Sequence, residues 1–155
     1  MCEVQEMRKK YWDDFSVGDK LRTNGLTVTE THMVNFACLT GDFLPLHMDE
    51  EYAKKTIFGG RIVHGPLTYC LAVGLVGLTN WYEDSIIGLL GVDKMRLPRP
   101  VKPGDTIHVN VEVISKKETS KPDRAVITLH YQVMNQREEE VFLMDYSIMM
   151  HRRNK

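Results

Sequence analysis

Residues 66–78 read PLTYCLAVGLVGL, and on a helix this stretch leaves almost no polar face. A helix that is apolar on every side must be surrounded by protein or by lipid. A stretch of this length rises about 20 Å, which is too short to cross the roughly 30 Å hydrocarbon core of a bilayer. The stretch is therefore predicted to form a helix buried at the centre of a domain.

The rest of the chain predicts mostly strands. Apolar and polar side chains alternate within residues 107–113, 127–133 and 142–150, as they do in antiparallel strands with one buried face. Further strands are predicted over residues 20–28 and 86–97. One strand, then helices, then a run of strands with no intervening helix excludes a doubly wound α/β arrangement. An antiparallel sheet wrapped around one long apolar helix is the α+β architecture called the hot-dog fold.

Length and charge are those of one ordinary globular domain. The chain has 155 residues, with 20 basic against 21 acidic side chains. We predict a polar tail over residues 1–10 and a single domain over residues 11–152. The near-neutral balance predicts neither a nucleic-acid nor a membrane partner. No secretory signal is visible and the three cysteines are scattered, so reduced thiols and a cytoplasmic location are expected.

Capping residues predict two helices between the first strand and the central helix. Thr29 can cap a helix that Gly41 closes, and Asp49 can cap a short helix over residues 50–55. The remainder of residues 41–65 is predicted to be irregular.

An acid and an imidazole stand five residues apart in this irregular segment. Asp42 and His47 flank Pro45, which restricts its own backbone and that of Leu44. A loop held in this way can aim both side chains at one water molecule, activate it as a nucleophile and return a proton. The structural alternative is that Asp42 caps the chain after Gly41 while His47 lies at the surface.

A second candidate feature lies at the start of the central helix. Pro66 suits the first helical position, so the N–H of Gly65 is free to point at a ligand with the helix dipole behind it. Such an N–H can stabilise the enolate-like oxygen that forms on a thioester carbonyl. An ordinary Gly-Pro helix entry is the alternative.

Together these segments resemble the MaoC-like (R)-specific enoyl-CoA hydratase family. The family signature GDxNPxHxD is similar to GDFLPLHMD at residues 41–49, and its later F and HG elements are similar to FGGRIVHG at residues 58–65. The resemblance extends to DFSVGD at residues 14–19 and to PVKPGD at residues 100–105. It covers nearly the whole chain.

The resemblance implies a reaction and a role for each matching residue. Asp42 and His47 would hold the water that attacks C3 of a 2-enoyl-CoA thioester, while the N–H of Gly65 would bind the carbonyl oxygen. No metal or other cofactor is expected, because coenzyme A is part of the substrate. The residues expected to contact the substrate are Leu44, Pro45, Phe58, Ile62 and His64.

Two positions depart from the family pattern. Leu44 stands where the family usually has Asn, and Val73 stands where some relatives carry a Ser in the central helix. Both changes predict a more apolar pocket.

Other polar residues have competing interpretations. Arg96, Arg99 and Lys102 cluster near a predicted strand end and could bind the phosphates of coenzyme A, or could belong to a solvated turn. A metal site built from Asp42, His47, Asp49 and His64 is conceivable but follows no zinc spacing. Small core positions are expected for Cys38 and Cys70, and solvated strand faces for His108 and His130.

Three functions stay open. A hydratase or dehydratase is favoured. A hot-dog thioesterase usually carries an acid on the central helix, whereas residues 66–78 contain no Asp or Glu. A non-catalytic acyl-CoA-binding or scaffold subunit is suggested by Leu44, although the presence of both Asp42 and His47 argues against it. Because hot-dog domains bury their helix fully only when two sheets join edge to edge, we expect a homodimer or a larger homo-oligomer built from dimers.

Overall fold

The computed structural model of the protein describes residues 10–82 and 85–153. The elements in chain order are a 3-10 turn (Trp12–Asp14), β1 (Lys20–Arg22), β2 (Leu26–Thr27), α1 (Glu30–Thr40), α2 (Pro45–Met48), α3 (Glu50–Ala53), α4 (Gly65–Gly77), β3 (Ile86–Arg96), β4 (Thr106–Glu118), β5 (Arg124–Met134) and β6 (Glu140–His151). Cys2 and the predicted polar tail up to residue 9 lie outside the described residues.

All strands belong to one antiparallel sheet in the order β1-β4-β5-β6-β3, with β2 also pairing with β4. The strictly alternating burial along β5 confirms that the period-two pattern marks one core face and one outer face. The predicted first strand is divided in two. At the break, the side-chain hydroxyl of Thr23 accepts the hydrogen bond from the N–H of Val109, at 2.9 Å, in place of a backbone carbonyl.

Helix α4 packs against the inner face of this sheet, as the sequence predicts for a hot-dog fold. Its residues Leu67, Thr68, Ala72, Leu75 and Val76 are buried. Within the single chain the helix is covered on one side only, because a sheet covers a helix from one side. A stripe on the other side is exposed and comprises Pro66, Cys70, Gly74, Gly77 and the following residue Leu78.

Three side-chain environments differ from those expected. Cys38 and Cys70 are exposed rather than small core residues, because each lies on an uncovered side of its helix. His108 is buried with only 7% of its surface exposed, although its position in β4 belongs to the polar set. Arg22 and Glu138, which pair with each other at 3.0 Å, lie over this part of the strand, and Glu138 is 3.7 Å from His108 Nε2.

Within the described residues, no helix has the length and apolar character needed to cross a membrane.

Burial of His108 predicts a pH-dependent stability. Desolvation and the nearby Arg22 guanidinium lower the pKa of His108 below its usual value near 6.5. The unfolded chain therefore takes up the proton first, so this contribution to stability is complete above about pH 6.5 and is lost as the pH falls through the lowered pKa. We expect the urea-derived free energy of unfolding to fall less between pH 7.5 and pH 5.5 in His108→Gln than in the wild type. Equal losses in the two proteins would contradict this explanation.

Candidate active site

The end of helix α1 and the short helix α2 place Asp42 and His47 close together. Helix α1 ends at Gly41, whose φ of 79° is the left-handed conformation that a side chain disfavours, and the chain turns there into Asp42. Pro45 then starts the one-turn helix α2, which carries His47. This part of the segment is therefore helical, whereas the sequence predicted that it is irregular. His47 is also buried, with 8% of its surface exposed, which excludes the surface alternative.

A backbone carbonyl sets the tautomer of the His47 ring. Its Nδ1 lies 2.8 Å from the carbonyl oxygen of Ile62. Because a carbonyl can only accept, Nδ1 must carry the hydrogen, and neutral His47 presents Nε2 as a bare acceptor.

His64 contacts both candidate residues, Asp42 and His47. It is fully buried, its ring stacks on that of His47 with centroids 4.0 Å apart, and its Nε2 donates to the backbone carbonyl of Asp42 at 3.0 Å. Burial lowers the pKa of His64, which favours the neutral ring that this packing requires. Thr68 on α4 donates its hydroxyl to the carbonyl of His64 at 3.3 Å. His64 is thus packed against Asp42 and His47 and does not line the cavity described below, where the sequence had predicted a substrate contact for it.

Donor atoms of Asp42, His47 and His64 lie within 4.8 Å of one another, a spacing at which metal ligands also occur. The ring planes of the two histidines are stacked, only 29° from parallel. Lone pairs in two stacked rings run side by side, whereas ligands of one ion must converge on it. The Nε2 of His64 is also engaged by a carbonyl oxygen. The arrangement therefore suits a water molecule and proton transfer better than a metal ion.

A cavity of about 240 Å³ opens beside His47 and the start of helix α4. Gly65 is the first residue of that helix, so its N–H has no acceptor within the helix. A Cβ at Gly65 would lie 2.7 Å from Cδ2 of Leu97, so glycine lets Leu97 close over the helix terminus. The cavity is lined by His47, Phe58, Ile62, Val63, Gly65, Thr68, Leu97, Pro98, Arg99, Pro100, Val101 and Val141.

The structure brings some of the predicted site residues to this cavity and leaves others outside it. His47, Phe58, Ile62, Gly65 and Arg99 line it. Leu44 and Pro45 are exposed outside it, Arg96 donates to the carbonyl of Met95, and Lys102 donates to the carbonyl of Phe58 at 2.9 Å. Asp42 and His64 do not line the cavity either, but their polar side-chain atoms lie within 4.8 Å of that of His47, which does.

Leu44, which replaces the family asparagine, does not make this cavity more apolar. Its side chain is 58% exposed, and only its backbone N–H approaches Asp42 Oδ1, at 3.5 Å. Thr68 and Leu97 were not singled out from the sequence. No motif in the sequence marks them as site residues, because a threonine in an apolar helix and a leucine after a strand are both common.

A larger hollow of about 400 Å³ lies on the outer face of the sheet. Its charged side chains are paired along the strands, with Lys20 3.3 Å from Glu112 and His130 2.8 Å from Asp145. These side chains are engaged with each other in ion pairs, whereas the inner cavity combines His47 with the N-terminus of helix α4, so the inner cavity is the better candidate site.

The sheet and the central helix that packs against its inner face define a protein of the hot-dog class, with Asp42 and His47 grouped together. The model of the MaoC-like domain matches residues 14–134, and the chain belongs to this family.

Two curated relatives illustrate the range of the family. Protein MaoC of Klebsiella aerogenes is 40% identical over 117 residues, which are 76% of this chain but 34% of that protein. The chain thus spans about a third of the length of that relative. The (R)-specific enoyl-CoA hydratase of Aeromonas caviae is 37% identical over 101 residues, or 65% of this chain and 70% of that enzyme.

Solved structures show the same fold. The monoamine oxidase regulatory protein of Archaeoglobus is 38% identical and superposes with a TM-score of 0.89 over 94% of this chain and 97% of its own. A double hotdog protein of Mycobacterium tuberculosis is 20% identical, with a TM-score of 0.83 over 95% of this chain and 46% of its own. The predicted hot-dog fold and the predicted family are both confirmed.

Proposed function

We propose that this protein reversibly adds water across the C2–C3 double bond of a 2-enoyl-CoA thioester. The observation that carries the proposal is the arrangement of buried His47, whose Nδ1 is engaged by the carbonyl of Ile62 so that Nε2 is left for the reaction, and which is grouped with Asp42 beside the cavity. Relatives named as (R)-specific enoyl-CoA hydratase and 3-hydroxybutyryl-CoA dehydratase support the assignment of the reaction class.

Two acceptors match the two hydrogens of one water molecule. The water donates one hydrogen to the Asp42 carboxylate and the other to His47 Nε2, which leaves an oxygen lone pair for the substrate. As that oxygen bonds to C3, one O–H bond breaks and its proton passes to the acid–base pair. The electrons of the double bond move towards the thioester carbonyl and form an enolate.

The start of helix α4 stabilises that enolate. In this proposal the thioester carbonyl oxygen binds at the N–H of Gly65, where the positive end of the helix dipole stabilises its developing charge. Collapse of the enolate takes the proton back from the acid–base pair to C2, so the reaction is complete without an external acid. Every step uses groups of this chain, and coenzyme A enters as part of the substrate.

Basic residues near the cavity suit the phosphates of coenzyme A. Arg99 lines the cavity, and Lys102 reaches the carbonyl of Phe58 on its rim. Both side chains are exposed and able to meet a charged ligand. A thioesterase is less well supported, since the described helix α4 carries no carboxylate to direct water at the carbonyl carbon.

A second copy of the chain is the partner that the surface suits best. Among the described residues, β3 pairs only with β6, which leaves one edge of an eleven-residue strand open. Long apolar edges favour pairing with another strand. The strand exposes Ile86, Ile87, Leu89, Leu90 and Met95, and the uncovered stripe of α4 is also apolar. Edge-to-edge pairing of two β3 strands would cover this surface.

Loss of either acid–base residue should abolish most activity. We expect Asp42→Asn and His47→Ala each to lower kcat by about 10² or more, the usual contribution of a general acid or base. The double variant should be little worse than either single variant, because the two residues act on one water. The measurement is the disappearance of the enoyl-thioester absorbance with crotonyl-CoA and with longer and branched homologues.

Asp49→Asn is a matched control on the same segment. Asp49 Oδ1 caps helix α3 by accepting the N–H of Tyr52 at 3.0 Å, and asparagine caps equally well. This variant should keep its activity. Release of free thiol with an unchanged enoyl band would show a thioesterase instead, and no reaction across the whole panel would favour the binding or scaffold function.

The phosphate contacts can be tested with two substrates. Arg99→Ala should raise KM for crotonyl-CoA by about three- to tenfold, the cost of losing a charge-assisted contact near the surface. KM for crotonyl-pantetheine, which lacks the phosphates, should not change. Arg96→Ala is the control, since Arg96 lies outside the cavity. An equal rise in KM for both substrates would refute the assignment of Arg99 to the phosphates.

Light scattering tests the proposed dimer. The wild type should have twice the mass of one chain at micromolar concentration, and Leu90→Arg should shift it to a monomer by placing a charge on the open edge. Leu39→Arg is the control, because Leu39 is 85% exposed on α1 outside this surface. A monomeric wild type, or a Leu90→Arg variant that stays dimeric, would rule out this interface.

A further inference from the structure

Arg61 joins the two helices that flank the catalytic segment. Its two terminal nitrogens donate to the two carboxylate oxygens of Glu30, the first residue of α1, at 3.0 and 2.6 Å. Its Nε and its backbone N–H both donate to Glu50 Oε2 at 3.2 Å, and Glu50 is the first residue of α3. These bonds connect the starts of the two helices between which Asp42 and His47 lie.

The residue after Arg61 orients the imidazole. Ile62 accepts the Nδ1 hydrogen of His47, and its own N–H points to the carbonyl of Leu46 at 3.4 Å. The chain position of Ile62 therefore decides both the tautomer and the direction of His47. Arg61 is bound through its backbone N–H and through its side chain, so the residue directly before Ile62 is held in place by both.

The binding of Arg61 depends on the guanidinium shape. Its side chain is 20% exposed and makes three of the four bonds, which a lysine ammonium on a flexible stem cannot reproduce in this planar arrangement. Gly60, with a φ of 153°, lets the neighbouring backbone lie against Glu50, whose Oε1 is 3.3 Å from the position that a Cβ would take. Arg61 itself does not line the cavity.

We infer that Arg61 is a positioning residue for His47, acting through the carbonyl of Ile62. This inference rests on the proposed function for its catalytic consequence, but its structural part concerns His47 alone. Displacements of about 1 Å in an acid–base group are enough to cost large factors in rate.

Arg152 provides a matched control at the other end of the sheet. It is also 20% exposed and also bridges two acids, with Asp13 at 3.0 Å and Glu118 at 3.0 Å. Replacing either arginine removes a bridge of similar exposure, so the two replacements should cost similar stability. Only the Arg61 bridge is connected to His47.

The first experiment observes His47 directly, by long-range proton–nitrogen NMR of the imidazole nitrogens. The wild type should show His47 with Nδ1 protonated and Nε2 bare. Arg61→Met and Arg61→Lys should both give a mixture of tautomers, while Arg152→Met should keep the wild-type signature at a similarly lowered urea midpoint. If Arg61→Met does not fold, Glu50→Gln and Glu30→Gln, which weaken the same bonds from the partner side, take its place.

Kinetics on crotonyl-CoA complete the test. We expect Arg61→Met and Arg61→Lys to lower kcat by roughly tenfold or more with KM within about twofold, and Arg152→Met to keep wild-type values. Arg61 variants that keep both the His47 signature and kcat while losing as much stability as Arg152→Met would show a purely structural bridge. A wild type that is inactive on all enoyl-CoA substrates, but whose His47 signature changes in the Arg61 variants, would refute the proposed function and leave the positioning role intact.

Discussion

The packing of helix α4 against the inner face of the sheet is the contact on which the other features depend. Burial of a large apolar side chain contributes about 1.5–3 kcal/mol, and α4 buries Leu67, Leu75 and Val76 in one interface. This interface sets the position of the helix axis. It thereby sets the place where the N-terminus at Gly65 meets the cavity, since a helix end cannot be moved without disturbing the packed turns behind it.

The polar part of the site is built around a few backbone carbonyls. Ile62 fixes the tautomer of His47, and the carbonyl of Asp42 holds buried His64. The carboxylate and Nε2 that remain are both acceptors, which is what a water nucleophile requires. The segment that contains Ile62 and His64 leads directly into α4, so the apolar core and the acid–base pair are coupled through one short piece of chain.

The sequence was most informative where a pattern reports local structure. Alternation located the long strands, and Thr29, Gly41 and Asp49 marked helix ends that the structure confirms. It was least informative about burial. Cys70 is exposed and His108 is buried, in both cases against expectation, because burial depends on which distant segment covers a residue. Arg61 was overlooked for the same reason, since its partners stand 11 and 31 positions away in the chain.

The sequence by itself determined the α+β architecture, the family and the acid–imidazole pair, because periodicity, capping residues and motif spacing are local properties of a chain. Only the tertiary structure decided that the carbonyl of Ile62 engages Nδ1 of His47, that His64 is buried against these residues, and that Leu44 faces outwards. These features depend on contacts between segments that are remote in sequence. Hydrogen-bond partners and side-chain burial are set when the sheet closes on α4, and no local pattern encodes them.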